Sequence, residues 1–141
     1  MVGVMIGRAI ASNPVSFWDT DRRLYGAESN PETVLTRRAL VEGYAEYLHD
    51  RYDGVEFVDL NVLKKEGNSA GRLPTGNIHM ALKPVHGILS GLPGNKRWRN
   101  ALDTCSKDPS LRQDGPAGVL LATLRECDGS FWDNVVDKGQ R

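Results

Sequence analysis

Residues 77–83 read NIHMALK, and Pro84 closes the run. Ile78, Met80 and Leu82 alternate with His79, Ala81 and Lys83, the two-residue period of a strand with one apolar face. The same period runs through VEFVDLNVL at 55–63, where Val58, Leu60 and Val62 alternate with Asp59 and Asn61. Neighbouring strands most simply pair antiparallel, so the two stretches predict a hairpin. Two strands alone are marginal, and VGVMIGRAI at 2–10 is the expected third, weakened by its glycines. The connection KKEGNSAGRLPTG at 64–76 is far longer than the usual hairpin loop of about 2–5 residues. It carries Lys64, Lys65 and Arg72 and offers a core only Leu73, which predicts a basic arm.

Helical signals flank this region on both sides. Asn13-Pro14 and Asn30-Pro31 each read as a helix start, because Asn accepts from an orphan N–H and Pro at the first helical position loses no hydrogen bond. The first helix is expected from 14 to 25, ending at Gly26, and the second from 31 to 52, ending at Gly54. Val34, Val41, Tyr44, Ala45, Leu48 and Tyr52 recur at three- and four-residue steps and form the apolar stripe of that second helix. Beyond the strands, Trp98, Ala101, Leu102 and Cys105 form one stripe, and Ala117, Leu120, Leu121 and Leu124 another. A last short helix is expected from Ser130, read as its N-cap, to about Lys138. The fold class that follows is α+β: a small antiparallel sheet of two or three strands packed against a long helix and C-terminal helices. Residues 1–141 are expected to form one globular domain with a long basic hairpin loop at 64–76.

Forty per cent hydrophobic and 26% charged residues exclude a wholly disordered chain. No apolar run approaches the ~20 residues of a membrane span, and the N-terminus lacks the basic lead-in of a signal peptide. A soluble protein in the cytoplasm, or in a particle assembled there, is the expected setting. Cys105 and Cys127 sit in no C-x-x-C or zinc-finger pattern and read as small buried thiols, with a disulfide the second reading.

The formal net charge is zero but unevenly spread. Residues 1–63 hold six Lys/Arg and ten Asp/Glu, a net of −4, and residues 100–141 hold five and seven, a net of −2. Residues 64–99 hold seven cations, namely Lys64, Lys65, Arg72, Lys83, Lys96, Arg97 and Arg99, against Glu66 alone, a net of +6. Three of these cations follow the turn GLPG at 91–94, where a helix is expected to begin. A helix N-terminus carries partial positive charge, so cations there are intrinsically disfavoured, and such a place suits an anion. The bland reading is a turn with solvated cations and Trp98 in the core.

Catalytic signatures are missing from the sequence. There is no P-loop and no dinucleotide-binding fingerprint, and no serine sits in a G-x-S-x-G setting. Asp19 with Asp21 is read as surface charge before metal ligation. His79 is read as a solvated or pairing histidine, because the sequence identifies no positioned partner for a general base. The leading expectation is a non-enzymatic interaction or assembly protein, without cofactor or metal. It docks with other protein subunits into a larger, virion-type or other multi-protein complex as an oligomer or subunit. Lys64, Lys65, Arg72, Lys96, Arg97 and Arg99 are expected to contact an anionic surface. The alternative is nucleic-acid binding by the same residues, opposed by a pI near 6.8. The third reading is a small hydrolase-type enzyme using Asp19, Asp21 or His79.

Overall fold

The computed structural model describes residues 7–29, 36–52, 77–134 and 136. Among these the protein is all-α, with seven α-helices and no sheet. In chain order they are α1 (Arg8–Ser12), α2 (Thr20–Tyr25), α3 (Arg37–Tyr52), α4 (Ile78–Leu82), α5 (Asn95–Lys107), α6 (Pro109–Arg112) and α7 (Gly115–Glu126). Short 3-10 turns at Pro14–Phe17, Lys83–Val85 and Ser130–Trp132 join or follow them.

The α+β expectation is therefore corrected, and NIHMALK shows why. Asn77 is in extended conformation, and its side-chain Oδ1 accepts from Met80 N at 3.3 Å, which caps α4. Ile78, Ala81 and Leu82 are buried, whereas His79 is 59% exposed on its side chain and Met80 61% exposed. The buried set thus recurs at steps of three and four, the helical period. Ile78 and Leu82 share a face in either reading, since residues i and i+4 coincide both in a strand and on a helix. Over five residues only Met80 and Ala81 separate the two periods, and the cap at Asn77 decides between them. The expected strand at 55–63 and the loop at 64–76 lie outside the described residues. Of the expected third strand at 2–10, Arg8–Ile10 belong to α1, and residues 2–6 lie outside the described residues.

The helical expectations fare better. The first helix begins at Pro14 but is broken: a 3-10 turn ends at Phe17, and α2 starts only at Thr20. Gly26 ends α2 with φ of 70°, the left-handed C-cap that glycine adopts without strain. Helix α3 carries the inward stripe Val41, Ala45 and Leu48; it starts at Arg37 and does not run unbroken from 31, because Thr36 is not helical and its Oγ1 accepts from Ala39 N at 3.0 Å. Trp98, Ala101, Leu102 and Cys105 of α5 are buried as their spacing requires. Ser130 is the first residue of a 3-10 turn, preceded by Gly129, and its side chain makes no cap.

Helix α7 is the centre of the packing, because α3, α5, α6 and α4 all lie against it. Pro116, Ala117, Val119, Leu120, Thr123 and Leu124 are buried on it, an arc wide enough to serve several neighbours. The one hydroxyl in that arc is satisfied locally, since Thr123 Oγ1 donates to Val119 O at 2.8 Å. Trp98 and Trp132 meet edge to face in the core, with ring centroids 4.9 Å apart. Their indole N–H groups donate to Val85 O at 2.9 Å and Cys127 O at 2.8 Å, so neither buries an unpaired donor. Two tethers hold α3 in place. Tyr44 Oη donates to Ala81 O of α4 at 2.7 Å, and Arg38 donates to the carboxylates of Asp128 and Asp133 beyond α7. Between α4 and α5, Gly87 lies so close to the Ser12 carbonyl that a Cβ would sit 2.3 Å from its oxygen. That contact sets α1 against the chain just ahead of α5.

No helix among the described residues is long and apolar enough to cross a membrane.

Candidate functional site

Helix α5 presents the cations that the sequence singles out. Gly94 precedes it with φ of 92°, a left-handed conformation that an L side chain rarely adopts. Leu92, half-buried against the core, and Trp98, fully buried, anchor the turn and the first helical turn. With Trp98 facing inward, its neighbours project about 100° to either side of it. Lys96, Arg97 and Arg99 are accordingly all exposed. The first turn of α5 holds no acidic residue, and no side chain caps its N-terminus.

The three cations fall on two flanks. Arg97 Nη2 donates to the carbonyl of Glu126 at 2.7 Å, at the last residue of α7. A guanidinium on the final carbonyls of a helix is favourably placed in its dipole field, so Arg97 already has a structural partner. An open depression of about 540 Å³ lies on this flank, lined by Gly94, Lys96, Arg97, Asn100, Thr104 and Glu126 among others. On the opposite flank a second concavity of about 390 Å³ is lined by His86, Asn95, Lys96, Arg99, Asn100 and Asp103. Lys96 and Arg99 have no ion-pair partner among the described residues. Among the described residues the one carboxylate lining this flank, Asp103, is taken by Lys107, whose Nζ lies 2.6 Å from it. That hydrogen bond holds the Asp103 carboxyl below the usual carboxylate range.

His86 is held below the ordinary histidine value, first by burial and then by Arg99, with His79 and Lys83 adding to the effect and Asp103 opposing it. Its ring therefore stands as a neutral group in a cationic setting near neutral pH. His79 stands outside the concavity wall, its Nε2 3.9 Å from Asp103 Oδ1, beyond hydrogen-bond reach.

Of the residues expected to form a basic surface, the structure places Lys96, Arg97 and Arg99 on one helix. Lys64, Lys65 and Arg72 lie outside the described residues. In the sequence His86 stands out only by its spacing of seven from His79, across Pro84, which gives it no role, and Asn95 and Asn100 are missed. Asn95 and Asn100 are spaced from Lys96 and Arg99 as one helical flank requires, and that spacing was available. His86 joins them only through the turns between α4 and α5, which no periodicity reports.

Of the remaining candidates, Asp21 is exposed on α2, and the others are occupied structurally. Asp19 is mostly buried and paired with Arg23 one turn on. Cys105 and Cys127 are buried free thiols, and burial pushes both up, away from the thiolate that nucleophilic chemistry needs. Among the described residues no three His, Cys, Asp or Glu side chains converge as a metal site would require. Comparison with protein-family models, curated proteins and solved structures finds no match to this chain.

Proposed function

We propose that this protein is a non-enzymatic interaction or assembly subunit that docks onto an acidic protein surface through α5. The observation that carries the reading is the pair Lys96 and Arg99, exposed on one flank beside His86 and paired with no carboxylate among the described residues. Each stands ready to form a charge-assisted contact with a partner. Arg97 contributes less, being engaged with Glu126. Lys64, Lys65 and Arg72 are proposed as further contacts on their charge alone. A net charge of zero favours a protein partner over nucleic acid, whose binders are typically basic overall.

The mass of the native particle, purified at low salt and followed by light scattering, tests this. The expected result is a particle heavier than the 15.6 kDa chain that dissociates as salt rises. Changing Lys96, Arg97 and Arg99 together to Gln is expected to release the subunit at lower salt. A strictly monomeric mass at low salt, or a triple variant that assembles like wild type, refutes the reading. Co-purifying nucleic acid, seen as a raised ratio of absorbance at 260 to 280 nm, would replace the protein partner with a nucleic acid.

A further inference from the structure

We infer that the concavity between His86 and the flank of α5 is a binding site for carboxylate groups of an acidic peptide segment, tightened when His86 takes up a proton. The inference deepens the docking reading above and rests on it. The site is a concavity and not merely a helix end: its lining residues Asn95, Lys96, Arg99, Asn100 and Asp103 run along two turns of α5, and His86 closes it from the preceding turn. Lys96 and Arg99 supply charge, and the Asn100 amide supplies a neutral donor of the kind that orients a carboxylate. Asp103, the one repulsive group among the described lining residues, is already paired with Lys107 at 2.6 Å.

The charged and titratable groups around His86 explain the coupling to pH. Arg99 from α5, and His79 and Lys83 from α4 and the turn after it, all disfavour its protonation, and Asp103 alone favours it. In the free protein these cations and burial keep the ring neutral at pH 7. A bound carboxylate reverses the local sign: it offsets Arg99 and stabilises the imidazolium, and by linkage the imidazolium strengthens the hold on the carboxylate by the same factor. The expected effect of one such contact at a wet surface is roughly fivefold in affinity.

The probe is an N-acetylated hexaglutamate peptide, which has no titrating amine and whose side chains stay ionised well above about pH 5, so that its charge is constant across the comparison. It is titrated into the 15N-labelled full chain at constant ionic strength, at about pH 6 and about pH 8. The expected result is amide shifts centred on residue 86 and residues 95–103, with binding tighter at the lower pH by at most roughly fivefold, because a ring held below the ordinary histidine value is only partly protonated there. In the same wild-type samples, the His86 ring should titrate at higher pH with the peptide than without it. His86→Gln should bind with the affinity seen at high pH and lose the pH dependence.

Shifts that avoid the concavity, a pH-independent affinity, or an unmoved His86 titration overturns the inference. So does an oligothymidylate of equal charge that occupies the concavity more tightly than the peptide. Should the triple Gln variant fail to assemble while hexaglutamate leaves the concavity unmoved, this inference falls and the docking reading stands. The opposite pair of results removes the docking reading and leaves the carboxylate site.

Discussion

Arg37 is 4% exposed, yet among the described residues no carboxylate pairs with it. Its Nε donates to the Ile88 carbonyl at 3.2 Å, and its Nη1 has no hydrogen-bond partner among the described residues. Burial accordingly lowers its proton affinity. A buried charge with one neutral acceptor recovers little of its lost hydration. Arg37→Met keeps most of the aliphatic stem and removes the charge, so stability should stay within about 1 kcal/mol of wild type or rise. A loss above about 3 kcal/mol in urea unfolding would show that the guanidinium makes a strong pairing instead. The next residue, Arg38, has the opposite fate, reaching Asp128 and Asp133 across 90 and 95 positions of chain. Two adjacent arginines look alike in sequence; partners 51 to 95 residues away make one buried and the other a clamp. Trp98 was legible for the contrary reason, since Ala101, Leu102 and Cys105 repeat its face within the same helix. His86 adds a prediction for pH. Its folded-state value lies below that of the unfolded chain, so the unfolded chain takes up the proton first as pH falls. Its contribution is therefore intact above about pH 6.5 and is lost as pH drops through that value toward the folded one. Urea midpoints across this range should fall less for His86→Gln than for wild type, and parallel curves would remove the claim.

At the scale of elements, α4 is the instructive case. It is a single five-residue helix whose start rests on one side chain, Asn77. Asn77→Ala should cost roughly 0.5–2 kcal/mol, the usual loss on removing an N-cap. A strand at this position would be nearly indifferent to the change, so an unaltered urea midpoint would count against the cap and the helical reading together. The long helices were legible, because α3, α5 and α7 each repeat their apolar positions over about two turns or more, enough to separate a period of 3.6 from one of 2. The strand expected at 77–83 alternates over only seven residues, and alternation over so short a run is compatible with either structure. The break between Phe17 and Thr20 was equally hidden. It is stabilised by local side-chain bonds, Ser16 Oγ to Asn13 O at 2.8 Å and Thr20 Oγ1 to Phe17 O at 2.7 Å, and such bonds compete with a continuous helix. The candidate site follows the same division, since the cations on α5 were readable along one helix and His86 came from a turn.

At the scale of the molecule, the buried residues form one cluster that runs from Val15 through α3, α4, α5 and α7 to Val136. Helix α7 touches each of its neighbours in that cluster, so no neighbour can leave without exposing apolar surface on α7. Burial shared in this way makes unfolding cooperative, because partial separation forfeits contacts and gains only part of the chain entropy. The two buried tryptophans report on different parts of it: Trp98 lies on α5 and is tied to Val85, whereas Trp132 lies beyond α7 and is tied to Cys127. With the half-buried Trp18 replaced by Phe, tryptophan fluorescence reads that junction, and far-UV circular dichroism reads all the helices, including α3. In urea the two signals should therefore change together, with midpoints and slopes that coincide. Leu120→Ala, a fully buried position on α7, should move both midpoints by the same amount, for a loss of roughly 2–5 kcal/mol. If the fluorescence transition precedes the loss of helix, α5 and the tryptophan pair form a separable unit. Helix α7 would then divide the core, and the cooperative reading would fail.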